Sequence, residues 1–285
     1  MDLQTMTSKP QSLSMWLRRD LALPQEHGGW VFLLSPLVIG LATADRSPSM
    51  ASVVLLITAL AAFLFRHPLT LVIKSLSGRR SRADLFGAIF WACGYGILGL
   101  VGLGFLIAQG FKELLWLALP ALPVLAVYLF LVSRRAERHQ PILDFAVALV
   151  LALGAPAAYW VTEGAYSATG WTLWGLCSLH ALTSIAHAFM RLEQRRWQSI
   201  PSLSTQIRIA LPTLGFNFLA VSTTGFLSAI SLLPSWLPLA YALQLFESAR
   251  GFWKPAIGQK PTQIGLRQLI VSGLFTLLFI GLWHT

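Results

Sequence analysis

Residues 84–108 have the sequence DLFGAIFWACGYGILGLVGLGFLIA, in which the first residue carries the only charged side chain. A helix of about 20 mostly apolar residues is long enough to span the hydrocarbon core of a bilayer. The six glycines of the stretch fit this interpretation, because small residues let membrane helices approach each other closely. The stretch therefore predicts a transmembrane helix, and a fold built from helices of this kind.

The composition of the whole 285-residue chain agrees with this prediction. Hydrophobic residues make up 55% and charged residues 11%, whereas about a quarter of an ordinary soluble domain is charged. This composition excludes a disordered protein, a small disulfide scaffold and an ordinary soluble enzyme. Cys93 and Cys177 both lie in apolar runs without the spacing of a metal site, so we expect no metal and no cofactor.

Further apolar segments follow along the chain, and with the first they make nine. The nine candidate spans are 28–44, 50–65, 84–108, 112–132, 142–161, 169–190, 207–230, 234–250 and 266–283. We predict an all-α, polytopic membrane helix bundle of nine transmembrane helices. Residues 1–24 form a cytoplasmic N-terminal segment and residues 25–285 a single transmembrane domain. Residues 1–24 lack the apolar core of a secretory signal peptide, so we expect them to be retained.

The basic residues follow the predicted topology. The chain has 21 Lys and Arg against 11 Asp and Glu, a net charge of +10. All the basic residues except Arg46 and Lys112 lie in the N-terminal segment or around the links after the second, fourth, sixth and eighth segments. The positive-inside rule assigns this side to the cytoplasm, so an inner-membrane protein would have its C-terminus outside. Basic links also meet anionic lipid head groups, so membrane lipids are the expected partners, and no nucleic acid is.

The first polar cluster is PQEHGG at residues 24–29, where the first segment begins. One interpretation is a helix start, since Glu26 meets the favourable end of the helix dipole. The other is a carboxylate and an imidazole at the mouth of a pocket, with Glu26 and His27 as candidate catalytic residues. Adjacent residues on a helix do not face each other, so the two side chains would not form a simple dyad.

The second polar cluster follows the second segment and contains Arg66, His67 and Lys74. Pro68 can break or kink a helix. If the helix continues past Pro68, Arg66, Thr70 and Lys74 fall on one face, since residues four apart are neighbours. Two cations on one face would bind an anionic head group. The alternative is that they anchor the helix at the membrane surface by snorkelling.

The third polar cluster lies in the sixth segment. His180, His187 and Arg191 share one helix face. The two histidines are about 10 Å apart along the axis, too far to bind one metal together. The residues are either packed core groups or the polar lining of a cavity that opens to the cytoplasm.

Three stretches carry a family resemblance: LPQEHGGW at 23–30, FRHPLTLVIK at 65–74 and KPTQIGLRQL at 260–269. Together they resemble the YwiC-like family of bacterial membrane proteins. That family has no settled biochemical function, so the resemblance implies a membrane protein and leaves its activity open.

A more distant likeness is to the UbiA prenyltransferase superfamily. Nine helices with an internal N-terminus, and the stretch YLFLVSRRAERHQPILDFAVALVLALGAPAAYW at 128–160, are similar to those enzymes and to haem O synthases. The likeness implies a UbiA-like arrangement of the helices. The Asp-rich motifs that hold Mg²⁺ and prenyl diphosphate in that superfamily are replaced here by Arg66–Lys74 and Arg191–Arg196. A Mg²⁺-dependent prenyltransferase is therefore not expected, although a guanidinium can contact a phosphate directly.

These observations leave three functional hypotheses. The first is binding of an isoprenoid or another anionic amphipathic ligand in a cytoplasm-facing cavity. Its candidate ligand-binding residues are Arg66, His67, Lys74, His187 and Arg191. The second is a transporter or exporter of a small amphipathic molecule. The third is a non-catalytic membrane assembly or scaffold protein. Whether the protein is an enzyme stays open.

Overall fold

The computed structural model describes residues 18–24, 28–137 and 140–285, and throughout these ranges the regular elements are helices without any strand. In chain order they are α1 (Arg19–Ala22), α2 (Gly28–Ala42), α3 (Met50–Leu76), α4 (Leu85–Ala108), α5 (Leu114–Ala118), α6 (Ala121–Ser133), α7 (Pro141–Ala152), α8 (Gly154–Glu163), α9 (Ala168–Gln194), α10 (Leu203–Ala229), α11 (Pro238–Trp253) and α12 (Pro261–Trp283). The predicted all-α fold is confirmed.

Within the described ranges, seven helical stretches are long and apolar enough to cross a membrane. They are Met50–Leu76, Arg82–Ala108, Leu114–Ser133, Pro141–Glu163, Ala168–Gln194, Leu203–Ala229 and Pro261–Trp283. These helical stretches indicate that the chain is an integral membrane protein. The other two predicted spans correspond to α2 and α11, with 15 and 16 residues. At 1.5 Å per residue these helices are about 22–24 Å long, shorter than the hydrocarbon core of about 30 Å.

The largest departure from the predicted boundaries is in α3. The helix runs from Met50 through Pro68 to Leu76, whereas the sequence predicted an end at residue 65. A proline removes one hydrogen bond from a helix interior. A membrane offers the remaining backbone groups no water, so a continued helix is the conformation that satisfies them. Arg66 and Lys74 consequently lie in the helix and not in the link that follows it.

Contacts between the helix ends divide the links into two groups. At one end, which we call the basic end, an Nη1–Oδ1 distance of 2.8 Å joins Arg18 to Asp84. Arg79 Nη1 donates to the carbonyl oxygen of Val132 at 2.7 Å in the same region. The carbonyls that Arg191 binds, described below, also belong to this end.

The opposite end is marked by two other contacts. The hydroxyls of Ser52 and Thr162 are 3.1 Å apart, and His284 Nε2 lies 3.1 Å from the carbonyl oxygen of Ala42. With α5–α6 and α7–α8 each taken as one pass, the described helices from α2 onwards alternate between the two ends. The two shorter helices, α2 and α11, do so like the long ones.

The core lies where α8 and α9 pack between α2, α11 and α12, and Ala155, Leu173, Tyr241 and Phe275 are buried there. Outward faces carry large apolar side chains instead. Leu100, Leu122, Phe218 and Leu277 are examples. Apolar faces of this extent are typical of a protein whose solvent is lipid.

Candidate functional site

A row of buried polar side chains follows one face of α9 towards the basic end. It consists of His180, Ser184, His187, Arg191 and Gln194, all buried. Their spacing of three or four residues places them on one side of the helix. Polar groups are costly within a membrane and usually have a structural partner or a function there.

Arg191 is 2% exposed, and its guanidinium joins α9 to the link between α11 and α12. Its Nη1 donates to the carbonyl oxygens of Gly251 at 3.0 Å and Lys254 at 2.8 Å, and to Gln194 Oε1 at 2.9 Å. Its Nη2 donates to Gln259 Oε1 at 3.4 Å. The last carbonyls of a helix have no partner within it and carry partial negative charge, so a cation stabilises them. Arg191 therefore caps the C-terminal end of α11.

His187 belongs to a network that joins three helices. Its Nδ1 lies 3.0 Å from the hydroxyl oxygen of Ser248 on α11. Asn217 on α10 donates from Nδ2 to the same hydroxyl at 3.2 Å and to the carbonyl oxygen of Thr213 at 2.8 Å. These hydrogen bonds tie α9, α10 and α11 to one another, while Asn217 Oδ1 has no hydrogen-bond partner among the described residues.

Glu247 is the acidic group beside this network. Its Oε2 accepts from Arg267 Nη2 on α12 at 2.7 Å and lies 3.4 Å from Arg250 Nε. Arg267 and Ser248 are two site residues that sequence reasoning missed. Arg267 is 20 residues from Glu247 along the chain and on another helix, so no local spacing relates them.

The predicted ligand residues of α3 have different neighbours from those of α9. The guanidinium carbon of Arg66 lies 5.0 Å from the centroid of the Tyr128 ring on α6. His67 Nε2 lies 3.0 Å from the carbonyl oxygen of Asp20 on α1. Arg66 is half-buried, as is Lys74, two turns further along α3. The α3 residues thus contact α1 and α6, while His187 and Arg191 contact α11 and its link. Glu26 and His27 lie outside the described residues.

Acidic groups at the basic end are engaged by arginines. Arg79 hydrogen-bonds both carboxylate oxygens of Glu137 and lowers its pKa, and the charge of Lys74 lowers it further. Arg80 binds Asp84 at 2.7 Å. Glu137 and Asp84 are thus paired with arginines, whereas Arg134 at the end of α6 is exposed.

In the described ranges there is no group of three or more His, Cys, Asp or Glu side chains that could hold a metal ion.

Two of the stretches that carry the family resemblance, 23–30 and 65–74, lie in the N-terminal half of the chain, and the second forms the charged part of α3. Residues 23–159 match the family model of YwiC-like proteins. The chain is also 24% identical over 198 residues to the uncharacterized protein YwiC of Bacillus subtilis (strain 168), which covers 69% of this chain and 77% of that protein. No solved structure matches the chain.

The resemblance to YwiC-like proteins is therefore confirmed, and their name assigns no activity. The matched region includes Arg66, Lys74 and Tyr128, so the charged face of α3 lies within the YwiC-like part of the chain. The polar row of α9 and the network around Ser248 lie beyond it.

Proposed function

We propose that this YwiC-like chain crosses the membrane nine times, with the basic end and residues 1–24 in the cytoplasm and the C-terminus outside. Support comes from α2 and α11, which run between the same two ends as the longer helices. A short span is accommodated by local thinning of the bilayer at modest cost. If α11 did not cross, Lys254 and Lys260 would lie on the opposite side from Arg195 and Arg196, against the positive-inside rule. The UbiA-like arrangement of these helices belongs to the same proposal.

We further propose that the protein binds an anionic amphipathic lipid, a phosphate-bearing isoprenoid or phospholipid, against α3 and α6 at the basic end. The observation that carries this is Arg66. It is half-buried in a spanning helix, ten residues before the end of α3, or about 15 Å along its axis. Charged side chains within membrane-spanning helices are rare and typically mark a ligand or a pathway. A guanidinium matches the geometry of a phosphate with paired hydrogen bonds.

The surroundings of Arg66 suit both parts of such a ligand. Lys74 lies two turns nearer the helix end and adds a second positive charge on the path from the cytoplasm. Val124 and Leu131 are half-exposed, lie one turn from Tyr128 on the same face of α6, and offer a surface for the hydrocarbon tail. Arg191 is not part of this site in our proposal, because it lies on α9 against the end of α11, away from the neighbours of Arg66 on α6.

The test is retention of lipid by purified variants. We expect Arg66→Ala to lose a specifically bound phosphate lipid by about tenfold or more, because a hydrogen bond to a charged group contributes about 1.5–3 kcal/mol. Protein would be purified in mild detergent and its bound lipids quantified by mass spectrometry. Arg66→Lys should retain an intermediate amount, since it keeps the charge and loses the planar fork.

Arg196→Ala is the matched control, because Arg196 is an exposed arginine at the same end, paired with Glu193. Its bound lipid should equal that of the wild type. Equal retention in folded Arg66→Ala and wild type would contradict the ligand site. Only bulk phospholipid in every sample would contradict specific binding altogether, and would favour a scaffold.

A further inference from the structure

A small, partly open cavity lies near the middle of the bundle between α2, α9 and α12, beside the half-buried residues Val31, Phe32 and Ser35. It has about 10 Å³ of room for the centre of a water molecule. Its lining includes Ser35 and Pro36 of α2, His180 of α9, and Ser272 and Phe275 of α12. A polar cavity needs roughly 10–15 Å³ by this measure to hold one water, so the space suits a single small molecule.

His180 is the residue in the cavity wall whose side chain most needs a further hydrogen-bond partner. The side chain is 5% exposed, and its ring stacks on Phe275 with centroids 3.5 Å apart. Its Nε2 lies 3.4 Å from the Ser184 hydroxyl oxygen. Its Nδ1 has no hydrogen-bond partner anywhere in the described part of the chain. Buried polar atoms are normally bonded to protein or to ordered water, so this nitrogen needs a partner.

The wall formed by α2 adds an acceptor. Pro36 lies inside that helix and has no N–H, so the carbonyl of Phe32 loses its ordinary donor four residues on. Phe32 and Pro36 both line the cavity. The hydroxyls of Ser35 and Ser272 complete the polar lining. A buried water typically makes two to four hydrogen bonds, and these groups are sufficient to supply them.

We propose that this cavity is a binding site for an ordered water molecule, which satisfies His180 Nδ1 and bridges it to α2 and α12. The lining contains no carboxylate, so it favours a neutral molecule over a cation. A water bound here extends the row of buried polar groups on α9 beyond Ser184, towards the middle of the membrane. It also explains why His180, stacked on an apolar ring, is held there without a second protein partner.

The experiment is hydroxyl-radical footprinting by X-ray radiolysis of the full chain in detergent, because radicals formed from a bound water oxidise the side chains next to it. Phe275 and Phe279 make a matched pair. They lie one turn apart on α12, both 0% exposed, and only Phe275 is among the lining residues. We expect Phe275 to be oxidised several-fold faster than Phe279.

The variant His180→Phe removes the nitrogen that anchors the water, and should reduce oxidation of Phe275 to the rate of Phe279. Equal, slow oxidation of both phenylalanines in the wild type would overturn the proposal, and this comparison does not depend on whether the variant folds. Unchanged fast oxidation of Phe275 in a folded His180→Phe protein would also overturn the role given to His180.

Discussion

Replacing Arg191 with methionine is expected to lower the free energy of unfolding by about 1–3 kcal/mol, the usual cost of leaving buried hydrogen-bond acceptors without their donor. The side chain is buried, and its donors bind four acceptors on α9, α11 and the α11–α12 link. Without them, the buried carbonyl of Gly251 and the partly buried carbonyl of Lys254 lack this partner. The measurement is thermal or denaturant unfolding of the purified protein in detergent.

Arg196→Met is the control, since Arg196 is exposed on the same helix end and pairs with Glu193. Such surface pairs contribute little, so a loss below about 1 kcal/mol is expected. Arg191→Lys should fall between the two variants, because one ammonium cannot reach all the acceptors of a guanidinium. If Arg191→Met were as stable as Arg196→Met, the capping role of Arg191 would be wrong.

Replacing Gly40 with alanine is expected to destabilise the protein by about 1–3 kcal/mol, the usual cost of overpacking. At this position α2 approaches α8 so closely that a Cβ atom would overlap the carbonyl oxygen of Ala155. It would also lie 2.9 Å from the Cβ atom of Ala158. Backbone atoms of a buried helix cannot move aside as a flexible side chain can, so α2 itself must shift. The unfolding temperature reports the change.

Gly104→Ala on α4 is the matched substitution, because a Cβ atom there meets nothing within 4 Å. Alanine also has the higher helix propensity, so this variant should be neutral or slightly stabilised. Equal losses in both variants would show that the α2–α8 contact is looser than described here.

Local features of the fold were predictable because a membrane imposes strong local rules. The length of the apolar segments predicted where the long helices lie, and the segment 84–108 corresponds closely to α4. The effect of Pro68 was not predictable in the same way. A proline before several polar residues normally suggests a helix end, but within a membrane a broken helix would leave backbone groups without partners, and α3 continues to Leu76.

The site was predictable only as a set of residue types. Their charge beside or within apolar segments identified Arg66 and Arg191 as candidate site residues. It did not reveal which groups each side chain contacts. The partners of Arg191 are carbonyls about 60 residues later in the chain, and those of Arg66 include an aromatic ring on α6. Every residue has a backbone carbonyl, so the sequence does not show which carbonyls accept hydrogen bonds from a side chain. Residue spacing therefore could not distinguish an arginine that caps a helix from one that binds a ligand.

The proposed nine-pass topology depends on α11 crossing the membrane, and thiol accessibility tests this most directly. In a background with Cys93→Ser and Cys177→Ser, we would introduce Ser235→Cys before α11 or Lys260→Cys after it, both at exposed positions. A membrane-impermeant thiol reagent would be applied to intact cells. Labelling of the Ser235→Cys protein from outside, with labelling of the Lys260→Cys protein only after permeabilisation, is the predicted result. Labelling of both proteins from the same side would contradict the nine-pass topology and the cytoplasmic position of the basic end.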